Sequence, residues 1–406
     1  MRPASAHANR NLRLLQAFWF FRDAQIWIPV WIVFLTLEQG FTLTQVLTTE
    51  GIYLLAVVLL EVPTGAVADR WGRSKSLGLG AICLGVAVLA FAFATTYPIL
   101  LGSFLLWALG TTLMSGADLA LLFDTLKDAG REHEYEQWAG RGASLNWGGA
   151  AVATLLGGPI AGITSTEMTI YIGAATCLLV AVAVFAIDEP PHRAAEHHEP
   201  YFTTIKSAFR DVSADRQVRS VILLVGLATA ATTGVHYLTQ PFLIDRGLEV
   251  GLLFSWLQVP LLASGVVGGL LAGRFANRYG IRLLVTLPLL AAAGLVVVAA
   301  TPGFYAFALM PLIGGLESLI TPVGDGFVNR RIPSERRATV LSMKGMVHSV
   351  VMAALASSLG WLTDNPGLAW AYVACAALAL AAVVFVGIPA MARRDPPPSP
   401  AAASAS

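Results

Sequence analysis

Charge is what this sequence has least of. Of 406 residues, 13% are Asp, Glu, Lys or Arg, while 56% are hydrophobic and the mean hydropathy is +0.68. A soluble domain carries roughly 25% charged residues, so one large soluble core is excluded. A net charge of +1 gives no pull toward nucleic acid. Cysteine is nearly absent: Cys83, Cys177 and Cys375 lie far apart, each inside an apolar run. That spacing excludes a metal-thiolate site and predicts small buried residues. There is no G-x-x-x-x-G-K-[ST], no H-E-x-x-H and no nucleophile elbow. We therefore expect no enzyme, catalytic residue, metal site or cofactor, and any transport must draw on an ion or solute gradient. The first eleven residues are too polar for a secretory signal, so the first apolar run is expected to direct insertion.

Long apolar runs are what the chain has instead. A spanning helix needs about 20 mostly apolar residues. Twelve runs qualify: about 14–37, 44–67, 76–95, 98–123, 140–162, 167–187, 219–241, 251–273, 281–300, 303–327, 338–361 and 367–390. The predicted class is an all-α polytopic membrane protein of two six-helix bundles. The bundles cover 1–187 and 219–392. A polar loop at 188–218 joins them, with an amphipathic pattern over 201–216, and the Pro/Ser/Ala tail at 393–406 is expected to be disordered.

Lys and Arg placement sets the orientation. With a cytoplasmic N-terminus, every Lys and Arg falls on the cytoplasmic side or its interface, save three. Arg246 lies opposite, and Arg22 and Lys344 lie within spans. Both termini are then cytoplasmic, and a plasma or inner membrane is the expected location.

Between the second and third runs stands Gly65-Ala-Val-Ala-Asp69-Arg70-Trp71-Gly72-Arg73-Ser-Lys75. Gly65 and Gly72 allow close backbone approach and a sharp turn. The pattern recurs as Gly273-Arg-Phe-Ala-Asn277-Arg278-Tyr279-Gly280, with Arg282 two residues past the last glycine. Asp124 and Asp325 each close the fourth span of their half. Such a duplication implies two related halves. The loop pattern G-x-x-x-D-R-x-G-R resembles that of major facilitator superfamily transporters between helices 2 and 3, and the resemblance extends over all twelve runs.

The resemblance implies roles. In that family the loop charges lock an outward-open state, which assigns Asp69, Arg70, Arg73 and Asp124 to gating, Asp124 pairing with Arg70 or Arg73. Asn277 in place of Asp69 implies a weaker second copy. Gly158-Pro159-Ile-Ala-Gly162 in span 5 resembles the core of the family's antiporter motif, with Thr154 where an earlier glycine is usual. The family's span-4 arginine falls at Leu106, a departure from the drug-exporter pattern.

Ionisable residues inside spans are the remaining candidates. A charge in hydrocarbon costs ~2.5–3.5 kcal/mol or more and so faces a cavity or a partner. Arg22 and Asp23 lie in span 1, Asp118 in span 4, His236 in span 7, Glu317 in span 10, and Lys344 and His348 in span 11; Asn146 in span 5 joins the set. Spans 1, 4, 7 and 10 line the cavity in this family. Asp23, Asp118, Glu317, Lys344 and His348 sit at similar depth and are expected to converge. Asp118 or Asp23 is expected to carry a proton, and Lys344 to counter it if it pairs with Glu317. Arg22 and Asp23, about 100° apart on a helix, are not expected to pair. Glu61 before Pro63 reads as packing or gating support. The span-1 aromatics Phe18, Trp19, Phe20, Phe21, Trp27 and Trp31 default to lipid, and Trp107, Trp147 and Trp256 are candidate pocket walls.

The expected function is proton-coupled export of a small organic solute by a monomer in the bilayer. The alternatives are proton-coupled uptake of a polar or anionic metabolite and, more remotely, a receptor or accessory domain.

Overall fold

The structure, a computed structural model, describes residues 4–190, 210, 212–213, 215–332 and 337–392. The expected surface helix over 201–216 and the tail at 393–406 lie, almost wholly and wholly, outside the described residues. The described chain is helical throughout. Ten segments are long and apolar enough to cross a membrane. One of these, Leu252–Ala300, holds two long helices, and the glycine-rich Tyr135–Ile163 adds another. We number the resulting helices α1 (His7–Glu38), α2 (Leu43–Trp71), α3 (Arg73–Ala92), α4 (Tyr97–Asp128), α5 (Tyr135–Ile163) and α6 (Thr166–Phe185). The second group is α7 (Arg216–Asp245), α8 (Val259–Tyr279), α9 (Leu283–Ala300), α10 (Leu309–Asn329), α11 (Arg337–Asp364) and α12 (Leu368–Ala390).

Local chemistry sets the ends. Thr42 and Gln45 form a reciprocal capping box that starts α2, Ser165 caps α6, and Asp215 caps α7 by accepting from Gln217 N at 2.8 Å and Val218 N at 3.1 Å. Two helices break beside candidate site residues. α1 loses its helix after Asp23 and resumes as a short turn at Ile28–Val30, whose first turn carries Pro29. The Gln25 amide donates to the freed carbonyls of Phe21 at 3.3 Å and Arg22 at 3.2 Å. α4 breaks at Ser115-Gly116, where Gly116 has φ +71°, and restarts at Ala117.

In lipid, helices hold together by close packing and hydrogen bonds rather than by burial from water. α5 lies on α1 through glycines. A Cβ at Gly142 would meet the Trp19 ring at 2.8 Å, and Cβ atoms at Gly149 and Gly157 would collide with the carbonyls of Phe20 and Ile26. One apolar cluster, including Leu15, Phe18, Trp27 and Phe104, lies within α1–α6. Another lies within the last six helices near Val225 and Leu284. A third bridges the groups, joining Val30, Ile32 and Leu47 to Val235, Leu238 and Phe242.

That bridging cluster fixes where the two groups meet. Gln240 accepts from Ile32 N at 3.1 Å and donates to Ile28 O at 3.0 Å. Gln258 donates to Pro29 O, Trp256 to Leu155 O, and Asp364 accepts from Leu43 N and Thr44 N. Tyr237 donates to Glu50 at 2.8 Å. Each hydrogen bond between the two groups, among the described residues, lies in the half of the molecule far from the termini. These bonds join the two groups across the distal end.

Candidate functional site

The break in α1 presents Arg22 and Asp23, and the restart of α4 presents Asp118 in its first helical turn. A helix N-terminus favours a carboxylate, and Asp118 Oδ1 accepts from Leu119 N at 2.8 Å. Its Oδ2 accepts from Trp19 Nε1 at 3.0 Å and Arg22 Nη1 at 3.4 Å. Asp118 is 7% exposed. Arg22 Nη2 also reaches Asp23 Oδ2 at 3.3 Å. The sequence expectation that these neighbours do not pair is therefore corrected. The helix ends at Asp23, and the long guanidinium arm spans the angle between the two Cα–Cβ directions. With its amide turned to satisfy both groups, Asn146 of α5 accepts from Arg22 Nη2 at 2.7 Å and donates to Asp23 Oδ2 at 3.3 Å. Four of the predicted cavity residues thus form one network across α1, α4 and α5.

The network borders a cavity of about 360 Å³ lined by Arg22, Asp23, Trp27, Tyr53, Trp107 and Thr111, among others. Trp107 packs its ring 5.1 Å from Trp27 and 5.3 Å from Tyr53. Of the candidate pocket walls Trp107 alone lines this cavity. Trp147 is 54% exposed, and Trp256 bonds at the distal seam. Phe18, Trp19 and Trp27 are fully buried, against their lipid-facing default, because α1 is enclosed by its neighbours.

The last six helices do not extend the network. Lys344 of α11 forms an ion pair with Asp325 of α10, not with Glu317. Glu317 accepts from Thr233 at 3.0 Å and Thr232 at 3.4 Å on α7. His348 bonds Thr229 at 2.9 Å, and exposed His236 lies beside Gly314. The expected single convergence thus resolves into one charged network in the first group and separate polar contacts in the second. Equal depth along the helices did not include their rotation.

At the terminal end, Gly72 turns the chain with φ +102°, and Gly280 does so in the repeat with φ +58°. Gly65 and Gly273 face open space, so neither is a close-approach point here. Of the two candidate partners, Arg73 bonds the Asp124 carboxylate and also donates to Ala120 O at 2.7 Å. Arg70, Asn277, Arg278 and Arg282 are exposed. The side chain of Asp69 lies outside the described residues. Glu61 accepts from Ser115 Oγ at 2.7 Å, at the break in α4. In α5, a Cβ at Gly158 would collide with Gly251 O, and one at Gly162 would meet Gly251 Cα at 3.1 Å. The Gly158-Pro159 segment thus abuts the other group at the distal seam.

A family model described as Major Facilitator Superfamily matches residues 15–315. The chain belongs to the major facilitator superfamily. This superfamily member is a multi-pass membrane protein of a transporter family, not an enzyme. It is 33% identical over 125 residues to the methyl viologen resistance protein SmvA of Salmonella typhimurium, covering 30% of this chain and 24% of that protein. It is 21% identical over 230 residues to the uncharacterized MFS-type transporter YxaM of Bacillus subtilis, covering 55% of this chain and 56% of that one. The chain thus spans a quarter to about half of the length of these curated relatives. Among solved structures, the nucleoside transporter NupG superposes with a TM-score of 0.78 at 15% identity, over 96% of this chain and all of that one. A bacterial homolog of the lysosomal transporter Spinster, inward-facing and occupied, gives 0.74 at 18% identity over 96% of each chain. These likenesses show the fold.

Two carboxylates were missed in the sequence. Glu189 accepts from Arg73 N and Ser74 N, both at 2.8 Å, and so caps α3 from the start of the central loop. Nothing in the sequence ties these positions together. Glu50 lies inside the second predicted span, and that alone was signal enough. Its acidic side chain has no basic residue within four positions on its helix.

Proposed function

We propose that this protein is a proton-coupled secondary transporter that exports small organic cations by alternating access. The supporting observation is the Arg22–Asp23–Asp118–Asn146 network on the wall of a cavity of about 360 Å³, which in our reading opens toward the terminal end. Asp23 faces the cavity, with 38% of its side chain exposed, while Asp118 is enclosed by three donors. In our reading Asp23 exchanges the proton, and Arg22 then shifts its weight to Asp118. The carboxylates Asp23, Asp118 and Glu317 outnumber Arg22 once Lys344 is paired with Asp325, which suits a cationic substrate. The partial likeness to a methyl viologen resistance protein points the same way.

The rest of the reading follows the Lys/Arg bias. The terminal end is cytoplasmic, both termini lie there, and the protein works as a monomer of two six-helix units in the plasma membrane. The loop residues Asp69, Arg70, Arg73 and Asp124, with Gly273–Arg282 and Asp325 as their counterpart, act as the gate. Gly158, Pro159 and Gly162 form the distal seam. Everted membrane vesicles with an acid interior test the direction, using methyl viologen as the probe. Accumulation that collapses when the pH gradient is dissipated is expected. Accumulation only with an acid exterior would favour uptake instead.

A further inference from the structure

Glu50 lies on the distal half of α2 and is 8% exposed. Its one hydrogen-bond partner among the described residues is Tyr237, a residue of the other helix group, 2.8 Å away. The next residue, Gly51, carries α2 against α11. A Cβ at Gly51 would lie 2.6 Å from Ala353 O. The carboxyl therefore sits in the seam that closes the distal end, outside the Arg22–Asp118 network. Tyr53, one turn on, bonds Thr111 of α4 at 3.5 Å and lines the cavity.

The titratable groups facing Glu50 are few. Tyr53 stands on its own helix and Tyr237 on α7, and Glu317 of α10 acts on Tyr237. Thr111 of α4 reaches Tyr53, and α11 meets α2 at the next residue through the Ala353 backbone. Lys344 and His348 lie further along α11 and are engaged by Asp325 and Thr229. No cation is paired with Glu50 among the described residues. A buried charge without a counter-charge is costly, whereas a neutral carboxyl hydrogen-bonded to a hydroxyl is not.

We propose that Glu50 is a second proton-binding residue of the transport cycle, and that its neutral form holds the distal seam closed. Opening of the distal end separates α2 from α7 and α11 and brings the carboxyl into water, where it releases or takes up a proton. Protonation then permits reclosure. Closure is coupled to one proton at the seam, independently of the cation-paired carboxylates in the cavity. The Tyr237 hydroxyl donates to the carboxyl in the closed seam and so positions it.

The inference rests on the alternating-access reading, and its test needs no substrate. Spin labels at Leu37 and Trp361, both exposed and on opposite groups, report the distal separation in proteoliposomes, with the three native cysteines replaced by alanine. In the parent, the open-to-closed ratio rises with pH, by up to about tenfold per unit for one proton. Glu50→Gln, neutral at every pH and still able to accept from Tyr237, stays closed throughout, and Glu50→Asp restores a pH response. A parental response in Glu50→Gln, or no response in the parent, would overturn the proposal. Failure of methyl viologen transport alone would instead count against the substrate reading.

Discussion

At the scale of single residues, charge inside an apolar run was the most readable signal. It singled out Arg22, Asp23 and Asp118, which do meet. It did not give their pairing, because helical angle ignores the length of an arginine and the end of the helix at Asp23. It grouped Lys344 with Glu317, although the ammonium pairs with Asp325, eight residues further along α10. Outside the spans, Arg131 holds Glu134 by two bonds of 2.8 and 2.7 Å, and Trp138 adds a third at 3.1 Å. Arg131 first, then Trp138, lowers the Glu134 carboxyl from 4.5 to about 2. A lowered value favours the folded clasp above the ordinary value of the group. That contribution is lost as pH falls from 4.5 toward 2. Hydrogen exchange over residues 131–138 should therefore be pH-insensitive above that window, once intrinsic rates are corrected, and accelerate within it. In Glu134→Gln the acceleration should be absent.

At the scale of helices, hydropathy located the spans, but not where they break. α4 was read as one run, because Ser115-Gly116 sits among apolar residues, yet the positive φ of Gly116 restarts the helix and delivers Asp118 at an N-terminus. The glycines of α5 were legible as close-packing points, though not what they pack against. Gly142, Gly149 and Gly157 face α1 within the group, while Gly158 and Gly162 face the loop before α8. This division makes Gly158→Val a specific probe. Its new Cβ collides with Gly251 O in the closed seam, and opening is expected to relieve that collision. Overpacking of this kind costs typically 1–3 kcal/mol, enough to shift a two-state balance about fivefold or more. The variant should insert and fold, but label strongly with a membrane-impermeant thiol reagent at a cysteine placed at Leu47, which is fully buried in the cluster that joins the two groups. Unchanged labelling relative to the parent would mean that the seam tolerates the valine.

At the scale of the whole molecule, twelve apolar runs and a repeated glycine-bounded loop made the superfamily readable before any coordinates. The conformational state was not readable, since the same apolar pattern serves both ends of an alternating cycle. The structure shows the two groups joined across the distal end by Gln240, Gln258, Asp364 and the Tyr237–Glu50 bond. In this state Arg73 remains bonded to Asp124 within its own group. That pair anchors helix ends, and by itself it adds little stability.

The central claim is that the Arg22–Asp23–Asp118 network couples a proton to this alternation. Proteoliposomes measure it most directly by comparing two modes with methyl viologen. Exchange at equal pH needs no net proton movement, whereas accumulation against a gradient does. Asp23→Asn should keep exchange within about threefold of the parent, a change of less than 1 kcal/mol, and lose gradient-driven accumulation. Gradient-driven accumulation that survives Asp23→Asn with an unchanged pH profile would contradict the account.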